Sequence, residues 1–251
     1  MAVSVVSHGH GGQVQELLMQ LCRSSSFAVD RVVLTQNLPE PEPQPPAEGW
    51  PFELKLFVNQ APRGFGANHN AALSGAAEEL VCVLNPDVVL FAQDPFTDLA
   101  AACSAPGVGC SYPIQVDVQG QVQDSERELP SPFSLIRRRL LGRRETRVDW
   151  VNAACMVVPT PVWRELDGFD ERYFMYCEDV DFCLRLRLRG LQLVKVPVRI
   201  VHTGQRASGR NLKHLVWHVR SLVQLWTSPV YRRAQKLLTS LSDSAGTIGT
   251  S

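Results

Sequence analysis

The sequence predicts an α/β protein built on a mostly parallel sheet, and three observations carry that prediction. Short β-branched apolar runs alternate with stretches of helical periodicity over the first ~90 residues. Each run ends in a polar or glycine-rich turn, the pattern of an open sheet that binds ligands beyond the carboxyl ends of its strands. The 251 residues are 45% apolar, enough for one domain with a sizeable core.

Taken in order, Val3 to Val6 reads as a strand that stops at Ser7-His8-Gly9-His10-Gly11-Gly12. Val14, Leu17, Leu18 and Leu21 then recur with helical spacing. Arg31 to Leu34 is a second strand ending in Thr35-Gln36-Asn37, and the proline-rich stretch from Pro39 to Pro51 reads as a surface loop. A third strand, Leu54 to Val58, leads through Asn59 to Asn70 into an alanine-rich helix, and a fourth, Val81 to Leu84, ends at Asn85-Pro86-Asp87. The second half predicts strands over Val108 to Val116 and Val148 to Val158, separated by a polar, Arg-rich segment without clean helical periodicity. Glu178 to Gly190 returns to helical periodicity, Leu193 to Val201 is a strand ending at His202, and Leu212 to Leu225 is an aromatic-rich helix. The small polar residues after Ser240 predict a frayed tail.

Composition excludes several classes. Lys+Arg and Asp+Glu balance at 25 each, so no overall field recruits nucleic acid. Seven cysteines without a C-x-x-C pair suggest neither a disulfide framework nor a zinc site, which fits a reducing cytosol. The N-terminus shows no basic or long apolar leader, and no run is long enough to span a bilayer.

Three groups could do chemistry. Asp87, after a strand and an Asn-Pro turn, could hold a divalent ion on a diphosphate or simply cap its own turn. Glu178, Asp179 and Asp181 are acids at a helix start, where capping alone is a sufficient explanation. His202, at a strand end, could ligate a metal through neutral imidazole or satisfy a local hydrogen bond.

The order of motifs resembles the family 2 glycosyltransferases of GT-A fold, in particular the rhamnosyltransferase-like branch of bacterial surface-polysaccharide synthesis. The resemblance rests on Arg63-Gly64-Phe65-Gly66-Ala67-Asn68-His69-Asn70, Leu84-Asn85-Pro86-Asp87-Val88, Asp149-Trp150-Val151-Asn152-Ala153-Ala154-Cys155-Met156 and the signature Gly168 to Asp181, with His202 last. It implies an inverting, metal-dependent transfer of a sugar, rhamnose in that branch, from a nucleotide diphosphate to a hydroxyl of a glycan or lipid-linked glycan. Asp87 would bind Mn²⁺ or Mg²⁺ with His202 as second ligand, Asp179 would be the general base, and Glu178 would orient the acceptor or the base. Ser7, His8, Thr35, Asn37, Arg63, Gly64, Asn68, Asn70 and Asn85 would line the donor side, and Trp150, Asn152 and Ala153 the acceptor side.

The same resemblance divides the chain into one glycosyltransferase domain over 1–226, with a donor half (1–100) and an acceptor half (101–211). A helical segment (212–240) and a tail (241–251) follow. It also implies a cytoplasmic protein at the inner face of the membrane. The cluster Arg137-Arg138-Arg139, Arg143-Arg144 and Arg147 would make that contact or be a solvated basic loop, and the helix Leu212 to Leu225, with Trp217 and Trp226, would lie in the interface or pack on the domain. Two rival functions share the nucleotide-binding sheet. A nucleotidyltransferase would want basic residues in the first glycine-rich turn, which has none, and a non-catalytic sugar-nucleotide or glycan-binding module would not need Asp179.

Overall fold

The computed structural model describes residues 1–24, 28–91, 94–131, 147–204 and 212–248. Strands β1 (Ala2–Ser7), β2 (Arg31–Gln36), β3 (Glu53–Val58) and β4 (Leu80–Leu84) are parallel, with β1 between β2 and β4. Helices α1 (Gly11–Ser24) and α2 (Phe65–Leu73) supply the crossovers. Short β5 (Val88–Leu90) and α3 (Phe96–Cys103), which the sequence pattern passes over, lead to β6 (Val108–Val116). Later come β9 (Cys155–Pro159), antiparallel to β4 and β6, the short helix α4 (Thr160–Glu165), and β10 (Gln192–His202), parallel to β6. The eight-stranded order is β3-β2-β1-β4-β9-β6-β10-β5.

Alternation along the central strands divides the core between the two faces of the sheet. Val81, Val83, Met156 and Val158 face a layer that contains α5 (Glu178–Leu188). Cys82, Leu84, Cys155 and Val157 face α1 and α3. Strand β4 is buried throughout, as a doubly covered strand must be, whereas β3 at the edge alternates toward solvent.

Two expectations are corrected. The single strand expected over Val148 to Val158 is two. β8 (Trp150–Val151) pairs with β7 (Glu126–Arg127) in a separate ribbon, and β9 joins the main sheet after the polar break at Asn152. The tail expected to fray is helical to residue 248, because α7 (Pro229–Ile248), which follows α6 (Leu212–Thr227), continues through it; its apolar face packs Tyr231, Ala234 and Leu238 into the core. Of the arginine cluster only Arg147 is among the described residues, and it is paired with buried Asp149 at 2.7 Å.

The register brings the functional turns to one edge. Leu84 pairs with Cys155, so the Asn152–Ala154 turn lies beside Asn85, whose backbone N–H donates to the Ala154 carbonyl at 2.8 Å. His202 pairs with Val88, which puts the end of β10 against Asp87. Ser7 and Gln36 end neighbouring strands at the same level.

Candidate active site

At the centre of that edge Asp87 and His202 face each other, with Nε2 of the histidine 3.5 Å from Oδ1 of the aspartate and both side chains about one-sixth exposed or less. Burial alone would raise the Asp87 carboxyl. The hydrogen bond and charge that His202 supplies when its ring is protonated outweigh it, with smaller help from its own backbone N–H and from His10, and hold it below the usual carboxylate range.

The histidine's orientation follows from its other nitrogen. Nδ1 lies 3.1 Å from Oε1 of Gln115, which also accepts from Nδ2 of Asn152 at 3.1 Å, while Nε2 of Gln115 donates to Oδ1 of Asn152. An amide oxygen can only accept, so Nδ1 carries a hydrogen; in the neutral imidazole Nε2 then presents its lone pair toward Asp87, and in the imidazolium it donates to Asp87. A lone pair and a carboxylate oxygen at that distance repel unless a proton or a cation lies between them. Mn²⁺ and Mg²⁺ accept one or two protein ligands when phosphates and water complete the shell, so the pair fits such an ion. Asn85 adds a buried Oδ1 with no partner beside it.

The carboxylates expected on the acceptor side stand at the start of α5. Tyr176 and Cys177 both adopt left-handed backbone (φ 72° and 69°), a costly pair of conformations for residues with side chains, immediately before Glu178 and Asp179. Glu178 is buried and its Oε2 has no partner. Burial and then the neighbouring Asp179 charge push its carboxyl well above the ordinary range. Asp179 is partly buried and pushed up to about 6 by desolvation, opposed by the backbone N–H groups of Val180 and Ala153 and by the Arg127 charge. The two environments set the pair apart: Glu178, the more deeply buried of the two, holds its proton the more tightly, and Asp179 is the carboxylate better placed to take one. Asp181 is committed elsewhere, since Arg185 donates to it at 2.6 Å.

One strand entry links the two halves. Asn152 ties to Gln115 and through it to His202, and the next residue, Ala153, offers its N–H to Asp179. Trp150 is buried, donates to the Glu128 carbonyl, and lies under the Arg127 guanidinium at 5.4 Å.

The remaining donor-side residues divide. Ser7 donates to Glu40 at 2.7 Å, and His8 is exposed with its ring against Asn37. Thr35 is buried at the end of β2. Asn37, Asn59 and Asn68 bond one another and the Arg63 backbone, a lattice that pins the loop before α2. Gly64 serves close packing, because a Cβ there would lie 2.8 Å from the Phe174 carbonyl oxygen. Asn70 lies within α2. It clamps Phe169 through both backbone groups, on a charged cleft of about 690 Å³ that Asp170, Arg172 and Asp181 also line.

Sequence reasoning misses Gln115, Arg127 and Glu40. A glutamine in the apolar run of β6 is the available signal for the first. Arg127 sits on a two-residue strand too short to read. Glu40 comes from the proline-rich loop, yet accepts from Ser7 and from the Gly9 N–H.

Residues 2–221 match the family described as glycosyltransferase like family 2. The chain belongs to that family. Among curated relatives of this glycosyltransferase, the N-acetylglucosaminyl-diphospho-decaprenol L-rhamnosyltransferase of Mycobacterium tuberculosis is 27% identical, the match covering 88% of this chain and 82% of that one. The rhamnosyltransferase WbbL of Escherichia coli K12 is 26% identical over 87% of this chain and 89% of its own. Among solved structures, the mannosyltransferase PcManGT of Pyrobaculum calidifontis, in complex with GDP-Man and Mn²⁺, superposes with a TM-score of 0.60 at 15% identity, over 100% of this chain and 80% of that one. S. aureus TarS in complex with UDP gives 0.61 at 16%, over 91% and 66%. These likenesses share the fold, a curled and largely parallel sheet with helices on both faces.

Proposed function

We propose that this glycosyltransferase moves a sugar, rhamnose by the character of its relatives, from a nucleoside diphosphate to a hydroxyl of a lipid-linked glycan with inversion at the anomeric carbon. The observation that carries the reading is the pairing of Asp87–His202 with Glu178–Asp179 across the single Asn152–Ala153 turn. A divalent ion bound there would neutralise charge developing on the leaving diphosphate. Asp87 and the Nε2 lone pair of His202 would hold it, and Gln115 keeps that lone pair available. On the opposite side Asp179 takes the proton of the attacking hydroxyl, and Glu178 beside it orients the acceptor or the base. No covalent sugar–enzyme intermediate is required, since only one carboxylate acts at the reacting carbon.

The division into a donor half (1–100) and an acceptor half (101–211) follows from the same assignment, with the segment 212–240 lying beyond both. A lipid-linked acceptor also calls for peripheral contact with a membrane; among the described residues no helix is long and apolar enough to cross one. The relatives support the acceptor class, one being named for a diphospho-decaprenol substrate. Hydrolysis and transfer assays with a panel of nucleotide sugars, with and without Mn²⁺, test the reading. Metal-dependent transfer supports it. Binding of a nucleotide sugar without turnover would return the non-catalytic module, and release of diphosphate from a nucleoside triphosphate would return a nucleotidyltransferase.

A further inference from the structure

Helix α6 carries two faces with different fates. Its inner face packs on the segment that delivers the catalytic acids: Ser221 donates to the Met175 carbonyl at 2.8 Å, the Tyr176 hydroxyl meets Nδ1 of His214 at 2.8 Å, and Trp217 packs on Phe174 with ring centres 5.0 Å apart. Trp226 is likewise turned to the protein, donating to the Pro130 carbonyl. The outer face is a stripe of Leu212, Leu215, Val216, Val219 and Val223 at helical spacing, exposed to extents that reach 80% at Leu212 and 63% at Val216. A contiguous exposed aliphatic stripe on a folded domain marks a docking surface.

The charge around the stripe selects the partner. The chain is neutral overall, yet α6 and the described part of α7 up to Ser240 carry only basic charges. Lys213 and Arg220 are exposed on α6 itself, and Arg232, Arg233 and Lys236 are exposed on α7. A second copy of the chain docking face to face would set these cations against their equivalents, which disfavours self-association. Aliphatic residues bordered by cations, on a helix too polar to span, match the interface of an anionic bilayer.

We propose that α6 is an interfacial helix whose Leu212–Val223 stripe docks on an anionic lipid surface and holds the Tyr173–Asp179 loop beside the bilayer. This deepens the lipid-linked-acceptor reading by naming the surface that meets the membrane, and it rests on that reading only for its biological purpose. The contact is made by aliphatic side chains, whereas Trp217 and Trp226 support the helix from within.

The test is co-sedimentation of the full chain with vesicles of phosphatidylglycerol and phosphatidylcholine that contain no glycan acceptor. Wild type should bind them, bind pure phosphatidylcholine far less, and lose most binding between ~0.1 M and ~0.5 M salt as the charges are screened. Val216→Glu/Val219→Glu should lower the vesicle partition coefficient by about tenfold or more, with unchanged melting temperature and unchanged donor hydrolysis in solution. Should that double variant fail to fold, Leu212→Ser/Leu215→Ser gives the same comparison. Failure of wild type to bind, or equal binding by folded variants, overturns the proposal. A wild-type dimer that the variants convert to monomer, without vesicle binding, assigns the stripe to a second copy instead. Because the vesicles hold no acceptor, their failure to bind would leave the transfer reaction untouched, and absent transfer would leave the docking result standing.

Discussion

Replacing Asp179 by Asn should uncouple turnover from stability in opposite directions. The carboxyl is raised to about 6 in the folded protein, chiefly by desolvation, whereas an Asp in an unfolded chain titrates near 3.9. The folded state therefore holds the proton more tightly. Any stability the group contributes is present below about pH 4 and lost as pH rises through about 6. At neutral pH, where the group is ionised, burying that charge costs on the order of 3 kcal/mol of folding free energy. Asn keeps the shape and can still accept the Val180 N–H, but it carries no charge to bury. The variant should melt higher than wild type at pH 7, by an amount that shrinks toward zero near pH 4. Turnover should fall by ~10²–10⁴-fold, the loss expected of a positioned base, while donor Kd changes little. The assay is kcat, donor Kd and melting temperature measured on the same preparation at both pH values. A folded, donor-binding variant that retains more than about a tenth of wild-type kcat would refute the assignment and transfer the role to Glu178.

Asp87→Ala, or excess EDTA on the wild type, should abolish most transfer, and Mn²⁺ should rescue the chelated enzyme but not the variant; full turnover in EDTA would contradict this. Gln115→Leu removes the acceptor that fixes the His202 tautomer and should weaken metal affinity by about 10–100-fold, read as a shifted Mn²⁺ activation curve with kcat largely recovered at saturating metal. The acid limb of kcat should bend near pH 6 and fall about tenfold per pH unit below it, as Asp179 protonates, and the Asp179→Asn variant should lose that limb. Gly66→Ala should destabilise by about 1–3 kcal/mol, measured by denaturant midpoint, since the new methyl would stand 2.8 Å from Cβ of Phe169.

The parallel half of the fold is legible because β1, β2 and β4 are buried on both faces and read as largely apolar runs, punctuated by turns that glycine and asparagine mark. The apolar character of β9 is equally plain, but its break at Asn152 is not. A polar residue whose amide is satisfied inside the fold by Gln115 leaves no local trace of where one strand stops and the next begins. The sequence pattern places helix α2 too late for a related reason. It begins at Phe65, so the Gly66–Asn70 motif lies within it, and the glycines that normally argue against a helix are demanded by close contacts with Phe169 and Phe174 about a hundred positions away. For the site, Asp87, His202 and Asp179 stand out by their positions at element ends. Gln115 and Arg127 gain their meaning only from pairing across strands, and Glu40 only from a long loop folding back onto the first turn.

One metal-capable pair and one carboxylate base should together serve a single sugar transfer. The most direct test is transfer of labelled sugar from nucleoside-diphosphate rhamnose to a polyprenyl-diphosphate-linked N-acetylglucosamine by wild type, Asp87→Ala and Asp179→Asn, with Mn²⁺ present. Wild type should give labelled product of inverted anomeric configuration, and Asp179→Asn at least about a hundredfold less despite normal donor binding. Product of retained configuration, or undiminished transfer by either variant, would contradict these assignments.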